Sequence, residues 1–493
     1  VKALTEEPAV AAAHWGVSVT ALDGAVLCAV NEGQLFRPAS NDKLFTMAAA
    51  LALLGPDRRF MTTVVAEGAI KDGVLKGNLR LLGGGDANFG AHDVPYVAPA
   101  DRPKPEVPEP ATIADIEDLA AQIAAAGVKS VEGDVVGDDS YFAWEPYPHG
   151  WTIDDLNTDY GAPVSALTIH DNWEEIQVAA GAVTTAPDVP YYTIADQSVA
   201  QKECGLRLDR ELGSRAVTLY GHGAAGAKPC RVNTAIHDPA EYAALALKLA
   251  LERRGVRVTG SAIALHVPPR AFQPATAAEG SLAAAIGGAT ADAPVKINSG
   301  SSCHESKGIS VLATHRSVAL GDDLNYTVKA SDNLHAEILL ENLGSAFGCA
   351  HTEAASLAVV RAYLKQVGIA ATDFVLYDGS GLSGHDLVAP RALTQMLVYA
   401  AKQKWAASYK AALPVGGVDG TLASRFLPPG STLKGKVFAK TGTLGESRAL
   451  SGYLTAASGG TVVFSVMVDN HRPGDPADRV AMDRMVEAIA VGN

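Results

Sequence analysis

The chain has no apolar run long enough to cross a bilayer; the longest candidate, Met47–Leu54, covers only eight residues. It has no excess of basic residues either. Its net charge is −14, from 40 Lys and Arg against 54 Asp and Glu, which argues against nucleic acid or an anionic membrane as the main partner. Cysteine is scarce. The five residues Cys28, Cys204, Cys230, Cys303 and Cys349 show no C-x-x-C spacing, which argues against a structural zinc site. Cys204 and Cys230 could pair in an oxidising compartment, and dispersed buried thiols fit the spacing as well. Several chemical motifs are also missing. There is no G-x-S-x-G elbow, no H-E-x-x-H and no G-x-G-x-x-G. His304-Glu305 reads as a surface pair, and Gly83-Gly84-Gly85 as a tight turn. The first residues lack an apolar leader core and an initiator methionine, and the expectation is a processed or trimmed chain, which leaves an exported origin open.

What remains is a globular composition, 48% apolar and 19% charged, over 493 residues. That length predicts two to four domains. Trp15–Leu22 and Ala25–Val30 read as a hairpin around Asp23-Gly24. Residues 437–444, 449–455 and 461–469 read as three strands, followed by a helix from about 475 to 491. Between them lies a helical region over 330–403. This order predicts an antiparallel sheet flanked by helices and closed by both chain ends. The middle of the chain differs. Residues 95–110 hold six prolines and predict an extended loop. Two helix-to-strand units, 113–136 and 239–266, each pass through Gly-Val and faintly echo one another.

Three short motifs carry the chemistry. Ser40-Asn41-Asp42-Lys43 opens an apolar helix that Gly55-Pro56 stops, so a hydroxyl and an amine three residues apart share one face. Asp42 is expected to be solvated. Ser331-Asp332-Asn333 precedes a helix starting near Leu334, and Lys440-Thr441-Gly442-Thr443 lies on a predicted strand. Each has a plain alternative, as a helix cap or a strand end. A second S-x-x-K at Ser431–Lys434 shows how easily the pattern arises by chance, but it follows S-x-N instead of preceding it. S-x-x-K, S-x-N and K-T-G in this order are the set used by penicillin-recognising serine enzymes.

The chain resembles the penicillin-recognising D-Ala-D-Ala carboxypeptidases of the S13 family. The resemblance extends to Arg37–Leu44, Ser331–Glu337, Asp378-Gly379-Ser380-Gly381-Leu382-Ser383, Val418–Leu422 and Ala439–Leu444, and more loosely to Gly83–Asp86 and Gly137–Phe142. It implies a multi-domain α/β fold: a β-lactamase/transpeptidase-like sheet with helices, carrying two smaller inserted domains. The expected division is 1–62 with 291–493 as the catalytic domain, 63–93 with 166–290 as one insert, and 94–165 nested within it. The 291 residues between Ser40 and Ser331 make room for such inserts.

By this resemblance Ser40 is the nucleophile, Lys43 its base, with burial and Lys440 both lowering the Lys43 pKa. Ser331 relays a proton and Lys440 orients it. Asn333 offers its amide to the substrate, while Thr441, Gly442 and Thr443 bind the substrate end. The N–H groups of Ser40 and Thr443 would form the oxyanion hole. No cofactor or metal is implied. The implied partners are peptidoglycan stem peptides, with β-lactams as acylating inhibitors and no nucleic acid; the implied location is periplasmic or extracellular. Rival readings are a β-lactamase, a D-aminopeptidase or esterase, and a non-catalytic peptidoglycan binder. No E-x-x-x-N follows Asn333 before Lys440, against the class A β-lactamase pattern. Tyr141, Trp144 and Glu145 are candidates to edge a stem-peptide pocket, although loop packing is the preferred reading.

Overall fold

The computed structural model describes residues 1–92, 94–98, 101, 112–226, 228–269, 310–346 and 352–493. Most of the proline-rich stretch, the expected boundary near 291, His304-Glu305, Cys303 and Cys349 lie outside these residues.

Strands from both chain ends form one five-stranded antiparallel sheet, in the order Val437–Leu444, Ser447–Thr455, Thr461–Asp469, His14–Ala21, Val26–Val30. The register places Trp15 opposite Val468 and Val17 opposite Val466. The run Val462–Val468 is apolar on both faces because both faces are covered. On one side, Val463, Met467 and Tyr453 pack with the helices that carry Leu44, Met47, Leu340 and Met396. On the other, Val466, Phe464 and Leu450 meet Met482, Met485 and Ile489 of the final helix, Ala477–Gly492. The fold is thus the expected mixed α/β sheet with helical layers, interrupted by further sheets.

Helix Lys43–Leu53 is buried on almost every side, as an apolar all-round helix must be. Ala50 carbonyl accepts from both Leu54 and Gly55 N–H groups, and Gly55, at φ 81°, takes the left-handed turn that ends it.

The middle of the chain builds two further sheets. Met61–Lys71 and Val74–Leu82 form a hairpin, and Ser310–Arg316 returns to pair with its first strand. The short strands at 130–138 and 257–265 join the same sheet. Residues 130–138 and 310–316 thus share one sheet with the 61–82 hairpin. A separate sheet is built from 173–235, stapled by the Cys204–Cys230 disulfide. Strand composition shows where a strand is but not which distant strand it pairs with. The two echoing units are neighbours in space. Ser130–Val131 pairs in parallel with Arg257–Val258, and Val135–Asp138 with Ala262–Leu265.

Candidate active site

Ser40 lies in a tight turn, Ala39–Asp42, that feeds helix Lys43–Leu53. Ala39 is left-handed at φ 47°, a strained conformation of the kind that clusters at functional sites. The three-residue offset brings Lys43 Nζ to 3.0 Å from Ser40 Oγ. The same amine donates to Asn333 Oδ1 at 2.7 Å and to the Ser380 carbonyl at 2.8 Å.

Helix Leu320–Tyr326 widens into a π turn over Thr327–Ser331, leaving Ser331 left-handed at φ 66°. Asp332 then caps helix Asn333–Ser345 by accepting from His335 N–H at 3.0 Å. Ser331 Oγ accepts from Lys440 Nζ at 2.7 Å, and Lys440 also donates to the Thr441 carbonyl at 2.8 Å. Asn333 Nδ2 donates to the Tyr160 carbonyl at 3.0 Å, so a loop of the inserted region touches the motif. Thr441 shares a 2.7 Å hydroxyl contact with Thr421. Thr443 is exposed and Ser40 half-buried. Glycine at 442 is a packing requirement: a β-carbon there would sit 2.5 Å from the Pro38 carbonyl oxygen.

Sequence reasoning gave no role to the loop 378–383, which completes the floor. Asp378 accepts from the N–H groups of Ser380, Gly381 and Ser383 and from Trp151 Nε1 at 2.9 Å. Buried Glu337 accepts from Gly379 and Ser380 N–H, and Thr46 Oγ1 donates to the Gly379 carbonyl. These contacts aim the Ser380 carbonyl at Lys43. The available signal was the Asp378–Ser383 phrase itself, with two glycines and two serines in a turn-forming run. Lys329 and Asp419 pair at 2.7 Å below the Ser331 turn.

Burial lowers the Lys43 pKa to about 8, with Asp378, Glu337, Asp332 and Asp42 acting against the shift. Burial pushes Lys440 well below the usual lysine range, and the Lys43 charge adds to that shift. Four carboxylates face Lys43 and act against its shift, whereas none is among the causes at Lys440.

Asp42 is not solvated. It is 1% exposed, and burial raises its pKa, as it does for Asp386. Asp42, Asp378 and Asp386 bring carboxylate oxygens within 4.8 Å of one another. Neither Asp42 oxygen nor Asp386 Oδ2 meets an N–H or O–H donor, and Asp378 is saturated by its loop. Such a group fits a proton shared between Asp42 and Asp386. The helix start turns the Asp42 side chain inward, opposite to the solvated reading.

The chance motif stays apart: Ser431 Oγ bonds Glu487 on the final helix, across the sheet from helix Lys43–Leu53. Tyr141, Trp144 and Glu145 pack as loop residues. Tyr141 lies against the cluster of Phe142, Val164 and Leu334, Trp144 stacks on His266 at 3.9 Å, and Glu145 accepts from Glu353 N–H. Trp151 and Tyr160 reach the site in their place.

Among described residues, no helix is long and apolar enough to cross a membrane. The chain is 31% identical over 511 residues to a D-alanyl-D-alanine carboxypeptidase of Actinomadura sp. (strain R39), covering 99% of this chain and 84% of that one. It is 26% identical over 466 residues to the D-alanyl-D-alanine carboxypeptidase DacB of Haemophilus influenzae, covering 91% of this chain and 84% of that one. The crystal structure of penicillin binding protein 4 from H. influenzae superposes with a TM-score of 0.75 at 25% identity, over 99% of this chain and 98% of that one. The model of the D-Ala-D-Ala carboxypeptidase 3 (S13) family matches residues 1–279 and 268–490, and with these likenesses it shows that the chain belongs to that family.

Proposed function

We propose that Ser40 attacks the carbonyl of a D-Ala-D-Ala bond in a peptidoglycan stem peptide, with Lys43 as its base. The observation that carries this is the set of three partners around Lys43 Nζ. The Ser380 carbonyl and Asn333 Oδ1 are pure acceptors. A neutral amine has two N–H groups, and these two acceptors use both. Its lone pair then faces Ser40 Oγ, where it takes the hydroxyl proton as the oxygen attacks.

Ser331 Oγ, linked to Lys440, passes a proton to the leaving D-alanine amine. Water then attacks the Ser40 ester and releases the shortened peptide. Asn333 presents its amide to the substrate backbone, Thr441 and Thr443 present hydroxyls to the terminal carboxylate, and Gly442 lets their strand lie close to the nucleophile. The backbone N–H groups of Ser40 and Thr443 hold the oxyanion. No cofactor takes part. The same groups would cleave a D-amino-acid cross-link.

A β-lactam would acylate Ser40 and persist, as no E-x-x-x-N glutamate follows Asn333. The H. influenzae protein has been seen complexed with a β-lactam. A location outside the cytoplasm suits the Cys204–Cys230 disulfide. We further infer a catalytic unit built on the sheet of both chain ends, one insert on the 61–82 hairpin and a second on 173–235.

The test is release of D-alanine from an acylated Lys-D-Ala-D-Ala peptide. Release that depends on Ser40 is the expected result. Penicilloyl adduct clearing within seconds, without peptide turnover, would favour a β-lactamase instead.

A further inference from the structure

His335 sits in the first turn of helix Asn333–Ser345 with no exposed surface. Its Nδ1 lies 2.8 Å from Asp323 Oδ1, and its Nε2 lies 3.1 Å from Asp171 Oδ1. A neutral imidazole carries one N–H, yet both nitrogens face carboxylate oxygens, so the ring holds two protons and a positive charge. That leaves no lone pair for a metal, although His92, Asp171 and His335 are grouped closely enough to suggest one. The other Asp171 oxygen meets His92 Nε2 at 2.5 Å, and the His92 ring stacks on Tyr326 at 3.6 Å.

This placement is costly in isolation. A buried cation at a helix N-terminus is opposed by both desolvation and the helix dipole. Asp323, Asp332 and Asp171 offset that cost and hold the ring charged. Asp323 comes from helix Leu320–Tyr326, Asp332 is the cap of the same helix as His335, and Asp171 comes from the inserted region. His170, Asp171 and Asn172 are all left-handed, at φ 49°, 52° and 55°. Three such residues in a row persist only where the surroundings over-determine them. Asn172 supplies part of that constraint, accepting from Ile169 N–H at 2.9 Å and donating to the Pro163 carbonyl at 2.8 Å.

We propose that Asp171 is a positioning residue for the Ser331-Asp332-Asn333 motif, acting through His335. The claim rests on the acyl-transfer reading above. Asp171 fixes the ring, and the ring fixes the first turn of its helix. That turn places Asn333 Oδ1 on Lys43 and leaves Ser331 Oγ on Lys440. The Tyr160 carbonyl holds Asn333 from a neighbouring loop of the same inserted region. The insert is in this way a working part of the site, not a passenger.

The test uses the whole chain and a fluorescent penicillin. Wild-type enzyme is first shown by mass spectrometry to be acylated on Ser40. Failure there sinks the acyl-transfer reading, which separates it from failure of the positioning claim. Asp171→Asn keeps the shape and removes the charge. It should give a full burst of one adduct per chain while acylating about 10- to 100-fold more slowly, the scale of a small misplacement in a reacting group. On a D-Ala-D-Ala peptide, kcat should fall while KM changes less than about threefold. In an Asn333→Ala background the same substitution should add less than about twofold, because the two act as one unit. A merely structural Asp171 would lower the burst amplitude or the melting temperature and leave the rate per active site unchanged in both backgrounds; that result overturns the proposal. If Asp171→Asn yields no folded protein, His92→Phe keeps a ring against Tyr326 and removes one of the two donors to Asp171. It should slow acylation about threefold or more, and an unchanged rate would equally overturn the claim.

Discussion

Gly442 runs against Pro38 so closely that an added β-carbon would lie 2.5 Å from the Pro38 carbonyl oxygen and 3.1 Å from Ala39 Cβ. This contact seats the Lys440 strand on the turn that presents Ser40. Gly442→Ala must push the two apart. It should cost about 1–3 kcal/mol of stability, the usual range for overpacking, and slow acylation by at least about tenfold. Denaturant midpoints and stopped-flow acylation check both effects, and a wild-type rate would show that the contact is irrelevant to the chemistry.

Ser40→Ala should abolish both β-lactam adduct and D-alanine release. Ser431→Ala should do neither, because its hydroxyl bonds Glu487 on the far face of the sheet. Mass spectrometry of the two variants after β-lactam treatment decides this; an adduct lost only in the second would place the nucleophile at the wrong serine.

Acylation should rise with pH up to about 8 and then level, because Lys43 must be neutral to act and burial lowers its pKa to about 8. The same shift has a stability consequence. Between about 8 and the ordinary lysine value of 10.5 the unfolded chain binds more protons than the folded one, so this group makes folding stability increase with pH there. A pH–rate profile that is flat from 5 to 8 would remove Lys43 as the titrating base.

Asp42→Asn should stabilise the protein at neutral pH. Burial raises the Asp42 pKa above 3.8, so its protonated form suits the folded state and stability is lost as pH rises toward the folded value. The amide does not titrate and offers Asp386 a donor. A gain of about 1–3 kcal/mol, the cost typical of an unsatisfied buried group, should appear in melts at pH 7 and shrink toward pH 4. Destabilisation at pH 7 would mean that the folded protein holds Asp42 as a hydrogen-bonded carboxylate.

Removing the disulfide by Cys204→Ala with Cys230→Ala should cost about 3–4 kcal/mol in the 173–235 sheet, given the 26-residue separation. Acylation per active site should not change. Chemical unfolding followed separately from burst kinetics checks the pair of outcomes.

The three motifs, their order and the strands at both ends were legible because they depend on local pattern: an i, i+3 pair, a cap, a period of two. Sheet membership was not. Ser310–Arg316 reads like any other strand, and only the structure shows that its partner is Met61–Lys71. The inward turn of Asp42 was missed for a related reason. Its sequence neighbours say nothing of Asp386, which approaches it from 344 positions away. Glu337 and His335 looked like ordinary helix residues until the loop at 378–383 and the strained Asp171 were seen to meet them.

The pairing of His14–Ala21 with Thr461–Asp469 also constrains how the protein is born. Ser40 leaves the ribosome 400 residues before Lys440 and before the strands that seat it. Contacts of such long sequence separation form late, after locally paired units have condensed. A chain that stops short of Lys440 therefore carries the serine without the strands that complete its surroundings.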